Sequence, residues 1–181
     1  MPLLRKEAEI FPDDLFDRAI VEPWRVAHVR SRHEKTLGRE LLDRRIPYYM
    51  PQIEQTKRRT GRTFRSFLPL FSGYVFFRGD AAARDVVRRR PAVINVLDVT
   101  YQDLLASELA QIRRLQLAGA SLRPYIEYAP GDVVRVREGA FAGYSGVVVR
   151  TKGTMRLIVQ VSALRQQVAV EFDREHVSPR R

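Results

Sequence analysis

The chain contains no cysteine. Disulfide scaffolds, thiolate zinc sites and cysteine nucleophiles are therefore excluded. It also has no apolar run approaching the length of a membrane span. The opening MPLLRKEAEIFPDDLFD is too acidic, and its apolar stretch too short, for a signal peptide. A soluble, cytoplasmic protein with no membrane partner is expected. Histidines number three, and His28, His33 and His176 are scattered. His33-Glu34 does not extend into H-E-x-x-H, and no G-x-x-x-x-G-K-[ST] phosphate cradle occurs. Gly143-Tyr-Ser-Gly146 misses the spacing of a G-x-S-x-G nucleophile elbow by one residue. Asp13 and Asp14 are adjacent, so on a helix their carboxylates diverge. An enzyme, a metal site and a cofactor are all unexpected.

What the chain does have is positive charge. Its 181 residues include 32 Lys+Arg against 21 Asp+Glu, a formal net charge of +11. Most of the basic residues are arginine, whose planar donors suit phosphate oxygens and whose clustering releases counterions. A polyanionic partner is one reading, and a merely basic surface is the other. Apolar residues make up 45% of the chain, enough for packed cores. The length allows one ordinary domain or two small ones.

The pattern divides the chain in four. Residues 1–22 form an N-terminal extension, with a short helix expected from Asp13 to Ala19. Residues 23–119 read β-α-β-β-α-β-α, an α+β domain with an antiparallel sheet and flanking helices. In its first strand, Trp24, Val26 and His28 share one face, and Ala27 and Val29 share the other. Leu37, Leu41 and Leu42 form the first helical stripe, which Ile46-Pro47 closes. A basic hairpin follows, with Lys57, Arg58, Arg59, Arg62 and Arg65 around Gly61. Asp80 caps a second helix with Ala83, Val86 and Val87 inward. Leu105, Leu109 and Ile112 line a third helix, which Gly119 ends. Residues 120–128 read as a linker. Residues 129–181 alternate apolar and polar residues in DVVRVR, SGVVVR, MRLIVQV and QVAVEF, the pattern of a small all-β, SH3-like barrel.

Two segments carry a family resemblance. Val134 to Val148, with Gly139, Phe141, Gly143 and Gly146, is similar to the KOW motif, a strand followed by G-x-F-x-G-x-x-G-x-V. Leu68-Pro-Leu-Phe71-Ser-Gly73-Tyr74-Val-Phe76 resembles the P-L-F-P-G-Y-x-F signature of the NusG-like N-terminal domain. Trp24 matches that domain's opening tryptophan, and His33-Glu34-Lys35 the polar start of its first helix. The resemblance spans residues 24–180, and the stretch KRRTGRTFRSFLPLF looks closer to specialised RfaH-type paralogues than to housekeeping NusG. Ser72 replaces the signature proline, and Arg25 stands where the family usually has tyrosine.

The resemblance implies a monomeric transcription elongation and antitermination factor. Its N-terminal domain would sit on the clamp helices of RNA polymerase and suppress pausing. Its KOW domain would recruit a small-subunit ribosomal protein or the termination factor Rho. Carried onto this sequence, the polymerase-facing patch comprises Trp24, Phe71 and Tyr74, with Phe67 nearby. Trp24 and Phe76 fit a domain core equally well; for Phe71 and Tyr74 the interface is the expectation. Arg30, Arg32, Arg88, Arg89 and Arg90 are candidates for contact with non-template DNA. The tip residues Lys57, Arg58, Arg59 and Arg62 are candidates for upstream DNA or the polymerase, or else a solvated loop. Leu164 matches an apolar residue that meets the ribosomal protein, but Arg165 follows it where housekeeping members tend to carry glycine. Two alternatives remain beside this reading: a ribosome-associated KOW protein that binds RNA, and a housekeeping NusG that assists Rho. In the RfaH branch the KOW segment can switch to a helical hairpin; the valine-rich alternation here predicts a stable barrel.

Overall fold

A computed structural model of the chain describes residues 6–17, 21–59, 62–125, 133–135, 145–147 and 156–171. The N-terminal part runs β1 (Ile10–Phe11), β2 (Trp24–Val29), α1 (Glu34–Asp43), β3 (Tyr48–Tyr49), β4 (Gln52–Arg59), β5 (Arg62–Pro69), β6 (Tyr74–Arg78), α2 (Ala81–Arg88), β7 (Val93–Asp98) and α3 (Gln102–Leu117). Five of these strands form one sheet in the order β1-β3-β6-β2-β7, and every neighbouring pair is antiparallel. Among the described residues, strands β4 and β5 pair only with each other, as a long hairpin beside the sheet.

Alternation along the strands gives the sheet two apolar faces. Ala27, Val29, Tyr48, Val75, Phe77 and Val96 join Leu37 and Leu41 of α1 and Val87 of α2 in one core. Trp24, Val26, Tyr49 and Phe76 face the other way, onto Leu105, Leu109 and Ile112 of α3. Both faces are thus covered, as the split of β2 into Trp24/Val26 and Ala27/Val29 predicts. Helix α1 approaches the sheet closely at Gly38, where a Cβ would stand 3.3 Å from Met50 Cε. It stops at Asp43, ahead of Ile46-Pro47, because the residue before proline avoids the helical region. Asp80 caps α2 by accepting from Ala83 N at 2.8 Å. Gly119, at φ +74°, follows α3 in the left-handed conformation that a side chain resists.

The extension differs from expectation. No helix forms over Asp13–Asp17; these residues turn, with Leu15 N bonding Pro12 O and Asp17 N bonding Asp14 O. Leu15 and Phe16 are adjacent, and a turn lets both reach the core where a helix would splay them apart. Upstream of the turn, β1 adds an edge strand to the sheet against β3.

The C-terminal part contains β8 (Leu122–Tyr125), β9 (Val133–Arg135), β10 (Ser145–Val147), β11 (Arg156–Val161), a 3-10 turn (Ser162–Leu164) and β12 (Gln166–Glu171). Each of the four alternating segments contributes a strand. Within residues 120–128, read as a linker, β8 pairs with β12 to complete a three-stranded sheet in the order β11-β12-β8. Strands β9 and β10 form a separate antiparallel pair. Val159, Val161, Val168 and Leu122 of this part pack into the same core as Leu105, Leu109 and Ile112 of α3.

Candidate partner surface and nucleic-acid interface

The turn between β5 and β6 carries the signature residues. Gly73 sits at φ +83°, a conformation natural to glycine. Its N–H donates to Glu34 Oε1 at 2.7 Å, and Glu34 is 97% hidden from solvent, being 3% exposed. The first residue of α1 thereby fixes the turn from a distance of 39 residues in sequence. Val29 N bonds Gly73 O at 2.8 Å and ties the same turn to β2. The result sets Phe71 edge-on to Phe76 at 5.5 Å and stacks Tyr74 on His28 at 5.0 Å.

Trp24, Phe71 and Tyr74 fall in one apolar cluster, but Trp24 and Phe71 are buried and only Tyr74 is partly open. Phe67 lies outside that cluster. It is half-buried and lines a cleft of about 530 Å³ with Arg113, Gln116 and Lys6. Trp24 is gripped from several sides. Its backbone N–H and C=O both bond the Gln102 side chain, at 2.6 and 2.9 Å. Phe16 stacks on its ring at 5.9 Å, and the Arg78 guanidinium lies 5.4 Å from the ring centre. Its indole Nε1–H is buried and meets no acceptor.

The C-terminal part closes over this side of the domain. Ser162 donates to Glu108 of α3 through both N–H, at 3.0 Å, and Oγ, at 2.6 Å. Leu164 packs, half-buried, against the shared core. Arg165 adopts φ +53°, a conformation glycine takes without strain. Of the KOW motif, Gly139, Phe141 and Gly143 lie outside the described residues, while Gly146 pairs with Val134 between β10 and β9.

The arginines gather at the ends of β2 and α2. Arg30 N bonds Ala92 O at 2.9 Å, which brings Arg30 beside the Arg88–Arg90 run. Arg88 pairs loosely with Asp85, at 3.9 Å. Arg90 turns back to Val86 O at 3.1 Å and stands 3.9 Å from Glu40. Arg30, Arg32 and Arg89 are exposed and have no ion pair among the described residues. Arg62 opens β5 exposed, whereas Arg65 pairs with Glu54 at 3.3 Å. Lys57, Arg58 and Arg59 lie on β4, but their side chains are outside the described residues.

Two features were not legible as site features in the sequence, and a third was missed although it could be read. Phe16 belongs to no periodic pattern. The Glu34–Gly73 bond joins a side chain to a distant backbone N–H. Glu108 did leave a signal, since it occupies the i+3 position on the stripe Leu105, Leu109, Ile112, and a carboxylate on a buried stripe needs a partner. Among the described residues no group of three His, Cys, Asp or Glu side chains converges as a metal site would require, and no helix is long and apolar enough to cross a membrane.

Comparison with known proteins matches residues 22–116 to the family described as transcription termination factor nusG, and residues 130–162 to the KOW motif. The transcription termination/antitermination protein NusG of Escherichia coli K12 is 32% identical over 153 residues, covering 81% of each chain. That of Xylella fastidiosa 9a5c is 28% identical over 176 residues, covering 82% of this chain and 95% of its own. A solved NusG structure from Thermotoga maritima, concerned with domain interaction, covers 82% of this chain and 92% of its own at 19% identity and a TM-score of 0.41. With the family model over residues 22–116, the KOW segment and the Escherichia coli relative in agreement, the chain belongs to the NusG family of transcription termination and antitermination factors.

Proposed function

We propose that this factor binds RNA polymerase through the aromatic face of β2, β3 and β6, suppresses pausing, and thereby modulates termination. The carrying observation is the Glu34-fixed turn, which delivers Phe71 and Tyr74 to the same cluster as Trp24. A rigid group of rings presented by a sheet suits an apolar partner helix, such as the polymerase clamp helices, because aromatic anchors bury large area at little entropic cost. Since Trp24 and Phe71 are buried, binding requires that covering elements move aside. The C-terminal part is one of them, and Leu164 becomes available to a ribosomal protein or Rho in the same movement.

Arg30, Arg32 and Arg89 supply the nucleic-acid contact in this reading, as exposed guanidiniums with no ion pair among the described residues. Arg88 and Arg90 are partly engaged and contribute less. The hairpin residues Lys57, Arg58, Arg59 and Arg62 extend the basic surface beyond the sheet. A general NusG role, assisting Rho, is favoured by the curated relatives, which are NusG proteins; the specialised role is favoured by the basic hairpin and by Arg165.

The test is a pull-down of RNA polymerase by the full chain and by a Phe71→Ala/Tyr74→Ala variant whose folding is verified. Loss of binding in the variant is the expected outcome. Binding that survives moves the site elsewhere, and no binding by the wild type removes the polymerase reading.

A further inference from the structure

The N-terminal extension is held by polar bonds at residues 7–11 and by apolar contacts at residues 15 and 16. At its start, Glu9 O accepts from Met50 N at 2.6 Å, and Tyr48 Oη donates to Ala8 O at 2.8 Å. The Glu9 carboxylate collects Arg113 at 3.1 Å, Gln52 N at 3.2 Å and Gln116 at 3.4 Å. Glu7 takes Arg39 at 2.8 Å and exchanges bonds with the Gln52 side chain. These ties pin residues 7–11 to α1, β3, β4 and α3. β1 lies at the sheet's outer edge and β2, which begins at Trp24, lies three strands away in the order β1-β3-β6-β2-β7. Between the two, the chain crosses the aromatic face at Leu15 and Phe16. Along residues 12–17 the only backbone hydrogen bonds among the described residues are the two inside the turn. What holds this crossing to the sheet is apolar: Leu15, 1% exposed, and Phe16, which stacks on Trp24 and stands edge-on to Tyr49 at 5.1 Å.

We propose that residues 12–17 are an intramolecular plug, in which Phe16 occupies the place on Trp24 and Tyr49 that a partner's apolar side chain takes when it binds. This rests on the reading that the aromatic face meets RNA polymerase. A second observation supports it. The indole N–H of Trp24 is buried without an acceptor in the plugged state. A group made only to fill a core would be partnered or apolar. The ligand that replaces Phe16 would present an apolar surface together with an acceptor for that N–H, as the flank of an amphipathic helix does. The family model begins at residue 22, so the plug lies outside the part of the chain it matches.

Trp24 is the chain's single tryptophan, so its fluorescence reports this site alone. The experiment compares full-length wild type with Phe16→Ala, by acrylamide quenching of Trp24 and by affinity for purified RNA polymerase. The plug reading expects quenching to rise and polymerase binding to tighten, by up to roughly tenfold if the plugged state dominates, because removing a competing state removes its penalty on affinity. Phe16→Leu, which keeps apolar contact but loses the ring stack, should shift both readouts in the same direction by less, and it serves if Phe16→Ala does not fold. A folded variant with exposed Trp24 and weakened or unchanged polymerase binding overturns the plug while leaving the polymerase reading intact. If wild type and variant both fail to bind polymerase, the polymerase reading falls. The plug, which rests on that reading, then falls with it, whereas weakened or unchanged binding by the variant alone ends only the plug.

Discussion

At the scale of single residues, Glu34 carries more of the site than its position suggests. Its carboxylate is buried, and removing it leaves Gly73 N–H without a partner. Glu34→Ala should therefore cost about 1–3 kcal/mol of stability. Glu34→Gln, which keeps an acceptor oxygen, should cost less, and denaturant titration separates the two. The sequence marks residue 34 as the polar start of a helix and residue 73 as a turn glycine. It does not mark them as a pair, because hydrogen bonds to backbone N–H leave no complementary residue type to read. Tyr48 offers a pH test. Burial first, and then the charges of Glu7 and Glu9, push its phenol from 10.0 up to about 12. Tyr49 is also raised, again chiefly by burial. The folded state thus holds these protons more tightly than the unfolded chain. The Tyr48 contribution is complete below pH 10 and is lost as pH climbs from there through about 12. Lys35, lowered by burial, tilts the other way near and below 10.5. Stability should fall as pH rises above 10.5 toward about 12, and Tyr48→Phe should flatten the fall.

At the scale of elements, α3 was legible as a stripe but not as a hinge between two parts of the molecule. Leu105, Leu109 and Ile112 face the sheet as their spacing requires, and they also receive Val159, Val161 and Val168 from the C-terminal strands. Glu108 and Ser162 supply the polar contact in that seam. A double-mutant cycle with Glu108→Ala and Ser162→Ala should give a coupling of about 0.5–3 kcal/mol. Either variant should raise hydrogen exchange in β11 without unfolding the central sheet. Strand β8 escaped recognition for a related reason. Leu122-Arg-Pro-Tyr125 is short and contains a proline, which reads as a connector. Among the described residues it pairs with β12 alone, and such an edge position tolerates the proline, since it can spare an N–H.

At the scale of the whole molecule, charge and apolar surface are divided. The arginines cluster where β2 and α2 end, while the rings lie under α3, Phe16 and the C-terminal strands. If the exposed guanidiniums meet phosphates, affinity for nucleic acid falls with salt. Replacing Arg30, Arg32 and Arg89 by alanine should shallow the slope of log K against log salt by roughly 0.7–0.9 per lost contact. The same triple variant should bind core polymerase in the absence of nucleic acid as wild type does, so the two surfaces can be scored separately.

The strand order has a consequence for how the protein is made. No two neighbours in the central sheet are consecutive in the chain: β1 waits for β3, β3 and β2 both wait for β6, and β2 completes its pairing only with β7, which ends at Asp98. The sole sequence-adjacent ladder in this half is the β4–β5 hairpin, which lies outside the sheet. On the ribosome the basic hairpin can therefore close early, whereas β2 has no partner until β6 has emerged, and the sheet is complete only once β7, past the midpoint of the polypeptide, has followed. Such a topology, rich in distant pairings, folds slowly for its size. The growing chain thus displays its cationic arm before it possesses the platform that would direct it.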